Sequence, residues 1–364
     1  MEKRILQIAM LIALVSVALC ANTWASPLVV GGCKSGVNFA TIQAAVDAAP
    51  SGSTIQVCPG NYPEQVAIDK PLVLKGISSG TAGAAVITAP AAGLVPNFTG
   101  GMYGTVAAQL LVHDATGVTI SDFTIDGTGT ACPAPAGWAG IAYESYSGAI
   151  TISNVAVRNI GSYPDCKGAA VLSEEGGSLT LQNSSIRGFY YGVISSEGGT
   201  VTISGNLVQS GLCGIYVYAP TGKVVISNNT VVDIDAYSQS AAIFLTSSAD
   251  VVTSNVTISG NTVEGKTQSG IETDSIANAK ITGNKVSGFR FGLFLDDLTN
   301  SVAQTNTIRN AEEGIFIADY GATGGNTVTN NTVNEADCGV DSGALIGSKV
   351  APNFLYNVTA TTCH

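Results

Sequence analysis

The sequence predicts an all-β solenoid of stacked parallel coils. Three observations carry that prediction: a β–turn–β element recurs along most of the chain, charge is scarce, and Gly is abundant. Only 11% of the 364 residues are charged, and 43 are Gly. So much Gly, together with Ser, Thr and Asn, is costly inside helices, which argues against a bundle or a coiled coil. With 45% apolar residues the chain is not of the disordered class. Acids outnumber bases 26 to 15. That balance argues against a nucleic-acid partner, because phosphate contacts need clustered Lys and Arg.

Residues 1–25 read as a signal peptide: Lys3 and Arg4 open it, and an apolar run over 8–18 is too short for a comfortable membrane span. Thr23, Trp24 and Ala25 put small residues at the cleavage positions, so a mature chain is expected from Ser26. Cys20 is a poor lipoprotein site because bulky Leu19 precedes it. The expectation is a secreted protein, extracellular or periplasmic, with no membrane span in the mature chain. Residues 26–53 are expected to form an N-terminal cap. Within NFATIQAAVDAAPSGSTIQVCPG (38–60), Thr41 suits an N-cap, and Ile42, Ala45, Val46 and Ala49 share one helical face. Pro50 and Gly52 end the helix. A helix over the open first coil is what keeps a solenoid soluble.

Residues 54–364 are expected to form one solenoid domain of about 11–13 coils. The β–turn–β element reads VTISDFTI (118–125), ITISNVAV (150–157), LTLQNSSI (179–186), VTISGNLV (201–208), VVISNNTV (224–231), VTISGNTV (256–263), AKITGNKV (279–286) and SVAQTNTI (301–308). A second element begins with a small and an aliphatic residue, as in Gly192-Val193, Gly214-Ile215, Ala242-Ile243 and Gly270-Ile271. Coils of this kind bury their inward aliphatics only by stacking on one another. Asn206, Asn229, Asn261, Asn284, Asn306, Asn331 and Asn357 recur at one turn, where stacked amides can bond coil to coil.

The 38–60 segment with NYPEQVAIDKPLVLKG (61–76) resembles the N-terminus of pectin-methylesterase-like and pectate-lyase-like proteins. The Asn-bearing coils are similar to the parallel β-helix repeats of that pectin-lyase-like superfamily. Over residues 30–360 this resemblance implies a single-stranded, right-handed parallel β-helix. It implies no activity, since function lives in a site grafted on the fold. The GxxDFIFG-like and LGRPW-like segments of the pectin methylesterases, and the GHG and RIK segments of the polygalacturonases, are absent. No catalytic residue is therefore carried over.

Seven Cys follow the signal peptide, in a disulfide-permitting compartment. Cys33 and Cys58 flank one helix–strand unit and are expected to pair. Register pairs Cys132 with Cys166, on stacked insertions at 126–139 and 158–169, and Cys338 with Cys363. Cys213 is left over and reads as a small buried core residue.

In the second element one outward row reads Ala142, Leu172, Ile194, Tyr216, Phe244, Glu272, Phe294, Phe316 and Asp341. Aromatics on neighbouring coils suit the apolar faces of sugar rings, so Tyr216, Phe244, Phe294 and Phe316 are candidate substrate-binding residues. The alternative is that a loop or another subunit covers the row; insertions at 232–241 and 246–255 flank Phe244. Two residues on, a second row holds Glu144, Glu174, Asp274 and Asp296, with Glu175, Glu197, Asp297 and Asp319 one position later. Asp274 and Asp296, on adjacent coils, are candidate catalytic carboxylates with Glu272, because a retaining glycosidase needs two carboxyls about 5 Å apart. Asp274, Asp296 and Asp297 also offer hard oxygen ligands to Ca²⁺, which would let an acidic protein hold an acidic polysaccharide. The plain alternative is a solvated acidic edge. A lyase or epimerase needs a base, for which Arg290 is placed, but Glu312 on the next coil is its expected partner.

Three features are set aside. GNTVEGKT (260–267) matches a phosphate-loop pattern but spans a β-turn-β unit with no following helix. His113-Asp114 reads as a structural strand-edge pair, and two His with three Met are too few for copper. The expected function is carbohydrate-related, a lyase, hydrolase or epimerase acting on polysaccharide. The alternative is a non-catalytic surface solenoid that binds glycan or a partner.

Overall fold

The computed structural model describes residues 27–77, 84–101, 104–161, 166–234, 241–266, 268–318, 324–342 and 347–363. The signal-peptide segment lies outside the described residues. Most coils give one strand to a 13-stranded sheet and two to a 22-stranded sheet. Consecutive coils pair in parallel register, as Val118–Ser121 does with Ala149–Ser153 and that strand with Ser178–Gln182. The first sheet stacks Ile120, Ile152, Leu181, Ile203, Ile226, Ile258 and Ile281 into one inward row, each fully buried. Thr, which suits a half-exposed pleat, fills most of the positions between them.

The cap contains the expected helix, α1 (Ile42–Ala48), with Ile42, Ala45 and Val46 buried. Thr41 Oγ1 accepts the Ala44 N–H at 3.2 Å. The Glu64 carboxylate accepts the N–H groups of Ile42 (2.8 Å) and Gln43 (2.9 Å), so two further orphan donors of the first turn are satisfied from outside the helix. The cap is more than a lid: its strands Leu28–Val30 and Val37–Phe39 extend the 13-stranded sheet beyond Ser53–Val57.

The amide ladder runs through Asn206, Asn229, Asn261, Asn284, Asn306 and Asn331 and ends on Asn353, not on Asn357. Thr332 pairs with Phe354, which sets Asn353 above Asn331; Asn357 is exposed and donates to Asn334 at 3.2 Å. The residue before each ladder Asn up to Asn331 turns through positive φ, for example Gly205 (67°), Asn228 (54°), Gly260 (64°) and Asn330 (58°). Gly and Asn tolerate that left-handed conformation and fill all of these positions but Thr305.

The three expected disulfides form: Cys33–Cys58 and Cys132–Cys166, both with Cα atoms 5.7 Å apart, and Cys338–Cys363 at 6.0 Å. Register places Cys363 against Asp341 and Ala360 against Cys338, so the third bond crosses three positions rather than the single residue expected. Cys213 is the free, buried thiol.

One strand pair departs from the solenoid. Phe98–Gly100 runs antiparallel to Gly104–His113, making a hairpin that folds back on the outer face. The Asn97 amide brackets Ala108, donating to its carbonyl at 3.0 Å and accepting its N–H at 2.9 Å. Gln65 does the same for Val95, at 2.9 Å in each direction. Phe98 packs against a second apolar cluster outside the main core, which includes Val106, Leu111, Ala142, Leu172 and Ile194.

Candidate functional site

The hairpin divides the outward row in two. Ala142, Leu172 and Ile194 are buried in the second cluster with Phe98, whereas Tyr216, Phe244, Glu272, Phe294 and Phe316 are half-exposed. The register sets these eight positions, and Asp341 as a ninth, on successive coils. The expected cover therefore exists for the first part of the row only. The 232–241 insertion lies largely outside the described residues.

On the open part, Tyr216 and Phe244 stack with ring centroids 5.2 Å apart and planes 11° apart. Phe294 and Phe316 meet edge-on at 5.0 Å. Phe291 joins them, 5.3 Å from Phe294 and 5.0 Å from Phe316. Phe291 was not singled out in the sequence because alternation places it inward; the strand bends at Gly292, which the pairing skips, and the position before it faces out. The Arg290 guanidinium lies 4.8 Å from the Phe291 ring centre and pairs with Glu312 at 3.3 Å. That is the expected partner, and it occupies the base a lyase would need.

Glu272 sits in register between Phe244 and Phe294. Burial between the rings raises its pKa, the Ser269 hydroxyl opposes the rise, and the charge of Asp274 adds to it. The second outward row runs in register through His113, Glu144, Glu174, Ser196, Tyr218, Thr246, Asp274, Asp296 and Ala318. Asp274 is held as an acceptor by the hydroxyls of Thr246 (3.1 Å) and Ser275 (2.8 Å). Asp296 is pushed up to about 6, first by burial and then by the charges of Asp274, Asp297 and Glu272. Its Oδ1 is buried with no hydrogen-bond partner among the described residues. The pair thus combines one carboxyl poised as a proton donor with one held by donors.

Asp297 follows at a left-handed turn position, φ 43°. Among the described residues no group of three or more His, Cys, Asp or Glu side chains is arranged to hold a metal ion. Asp274 and Asp296, two of the three expected Ca²⁺ ligands, face one another on adjacent strands, and Asp297 follows in the turn. Asp319 lies outside the described residues.

At the opposite end of the open face, where the hairpin stops, lies a cleft of about 320 Å³. Gly101 forms its wall on the hairpin side, and Glu174, Glu175, Glu197, Tyr216 and Tyr218 line the rest. Glu174 is 1% exposed, and the Gly100 backbone lies so close that a Cβ there would strike its carboxylate. The Tyr216 and Tyr218 rings are 6.4 Å apart. The acids of this cleft stand in the rows read from the sequence, but only the hairpin makes them a pocket. Nearby, His113 Nδ1 lies 2.6 Å from Glu144 Oε2 and Nε2 lies 3.2 Å from Asp114 Oδ2, a structural clasp as expected. In the 260–267 segment, Thr262–Gly265 is a solenoid strand paired with Lys285–Ser287 rather than part of a phosphate loop.

No curated protein matches the chain by sequence. Among solved structures, the A-module of the mannuronan C-5 epimerase AlgE4 from Azotobacter vinelandii aligns with a TM-score of 0.56 at 14% identity, over 89% of this chain and 92% of that one. The Dettilon tailspike protein (gp208) aligns at 0.54 and 14% identity, over 87% of this chain; the alignment spans 64% of the tailspike's length. The enzymatically active domain of tailspike protein 2 from bacteriophage CBA120 aligns at 0.52 and 14% identity, over 93% of this chain and 52% of that one. At such identity these similarities speak to the fold. A family model described as a right-handed β-helix region matches residues 108–271 and 191–355, well over half of the chain. The protein therefore belongs to the right-handed β-helix family.

Proposed function

We propose that this is a secreted glycan-active protein that hydrolyses a polysaccharide on the open face of the solenoid. The observation that carries this reading is the pairing of Asp274 with Asp296 on adjacent coils, beside an uncovered stripe of aromatic rings. Coils stack about 4.8 Å apart, which suits the short carboxyl separation of a retaining glycosidase. Asp296, with its raised pKa, protonates the leaving oxygen while Asp274, fixed by Thr246 and Ser275, attacks the sugar carbon to form a glycosyl ester; a water that gives its proton to Asp296 then cleaves that ester and frees Asp274. Glu272 lies between the rings and orients the sugar. Hydrolysis is favoured over lyase or epimerase chemistry because Arg290 is already engaged by Glu312. Two of the similar structures bear names that fit an enzyme on such a scaffold, a mannuronan C-5 epimerase and an enzymatically active tailspike domain. Three disulfides agree with export.

Asp274→Asn and Asp296→Asn should each lower the rate of glycan cleavage about a hundredfold or more while leaving glycan binding in place. Phe294→Ala with Phe316→Ala should weaken binding. If wild-type protein retains glycan but releases no product, the non-catalytic binding solenoid is the correct reading.

A further inference from the structure

We infer that the cleft beneath the hairpin tip is a subsite for an amino-bearing sugar, so that the open face takes a cationic or neutral glycan and rejects uronic-acid polymers. This inference rests on the glycan-active reading and assigns it a substrate class. The cleft is of ligand-pocket size, about 320 Å³. Its walls carry three carboxyl side chains, Glu174, Glu175 and Glu197, and two tyrosine rings, Tyr216 and Tyr218. Carboxylates and tyrosine faces together are the surroundings that hold an ammonium group. A hydroxyl-only sugar fits there too, whereas a sugar carboxylate would meet three like charges against the hydroxyls of Ser196, Tyr216 and Tyr218.

The charge distribution along the face makes the same distinction. The face strands Gly137–Glu144, Gly168–Glu174, Tyr191–Ser196, Cys213–Tyr218, Ala241–Thr246, Ser269–Asp274 and Phe291–Asp296 contain neither Lys nor Arg, and in Thr307–Ala318 the base, Arg309, lies in the first half of the strand, seven positions before Phe316. Lys167 and Arg290 immediately precede their strands, at the edge opposite the acids. Lys223 lies past the acid edge, where the chain enters the strand of the other sheet. Arg290 is paired with Glu312, and His113 is clasped between Glu144 and Asp114. Around the cleft, therefore, the face offers acids, hydroxyls and rings; the cation on the stripe is Arg290, at its far end, stacked on Phe291 and paired with Glu312. Such a surface raises the local concentration of cations and repels polyanions.

The position of the cleft links it to the carboxylate pair. Tyr218 is two coils from Asp274 and three from Asp296 along one row. At the stacking distance this is about 10 and 14 Å. A glycan lying along the solenoid axis can seat one sugar in the cleft and present a linkage a few sugars away to the pair.

The test measures binding of three oligosaccharides of equal length to the full chain carrying Asp296→Asn, which slows turnover about a hundredfold or more. They are a glucosamine oligomer, its N-acetylated counterpart and a galacturonate oligomer. At low salt the amino oligomer should bind about tenfold more tightly than the N-acetylated one, and the advantage should vanish near about 0.5 M salt. The galacturonate oligomer should not bind. Glu197→Gln, at an exposed turn, should lower affinity for the amino oligomer several-fold and so shrink its advantage over the N-acetylated one. Equal affinity for the amino and N-acetylated forms, or tight binding of the galacturonate, overturns the subsite assignment and leaves the glycan reading standing. Failure of all three to bind removes both.

Discussion

Asp296 is the residue where structure and chemistry meet most closely. Its carboxyl titrates near 6 rather than at the ordinary 3.8, chiefly because it is buried. Between those values the folded state holds a proton that the unfolded state has released. Stability therefore falls as pH rises from about 4 to about 6, and the loss is complete above that range. Asp296→Asn removes the charge that the fold disfavours. The variant should melt higher than wild type near pH 8, by on the order of 2 °C, and equally near pH 4; scanning calorimetry at the two pH values checks this. Activity that needs the protonated acid should likewise fall as pH rises through about 6. Cys213 is the contrasting residue: burial, with the charge of Glu272 beside it, pushes its thiol up to about 12. It should resist a thiol reagent in the native protein and react only after unfolding, as mass spectrometry would show.

At the scale of elements, the amide ladder and the hairpin do different work. Asn261 accepts from the backbone and side-chain N–H groups of Asn229 and donates to Ile226 O at 2.9 Å. Asn261→Ala would leave the buried Asn229 N–H and the Ile226 carbonyl, both on the preceding coil, without these partners. The expected loss is about 2–4 kcal/mol by chemical denaturation, with no change in the open face. The hairpin is clamped by Gln65, which bridges Val95 and Ala108. Gln65→Ala should loosen it, expose Leu172 and Ile194, and raise binding of an apolar dye, while cleavage at Asp274 and Asp296 continues. The ladder was legible in the sequence because it repeats with the coil; its last step was misread because the final coil keeps no recognisable motif around Asn353. The hairpin was not legible at all. Residues 89–103 belong to no repeat, and nothing local in Asn97-Phe98-Thr99 says that Phe98 will seal the row of a coil one turn away.

At the scale of the whole molecule, the repeat determines which residues can meet. A one-dimensional stack places every residue of a row about one strand spacing from its copies above and below. That is why the inward rows, the disulfides and the aromatic and acidic rows could be read from period alone. It is also why the cleft could not: it arises where a non-repeating segment crosses the stack. The position of Cys363 shows the same limit, since the chain bends at Gly339 and the outward positions on either side of the bend face one another. Charge follows the same geometry. Acids gather at one edge of the face, bases stand at the other edge or on other faces, and the open aromatic stripe runs between.

The most direct test of the account is a time course of product release from glucosamine and N-acetylglucosamine oligomers, run with wild type, Asp274→Asn and Asp296→Asn. The account predicts shortened products with wild type below about pH 6, and rates at least about a hundredfold lower with either variant, whose binding is retained. Undiminished product release by both variants, or bound oligomer that wild type never shortens, would contradict it.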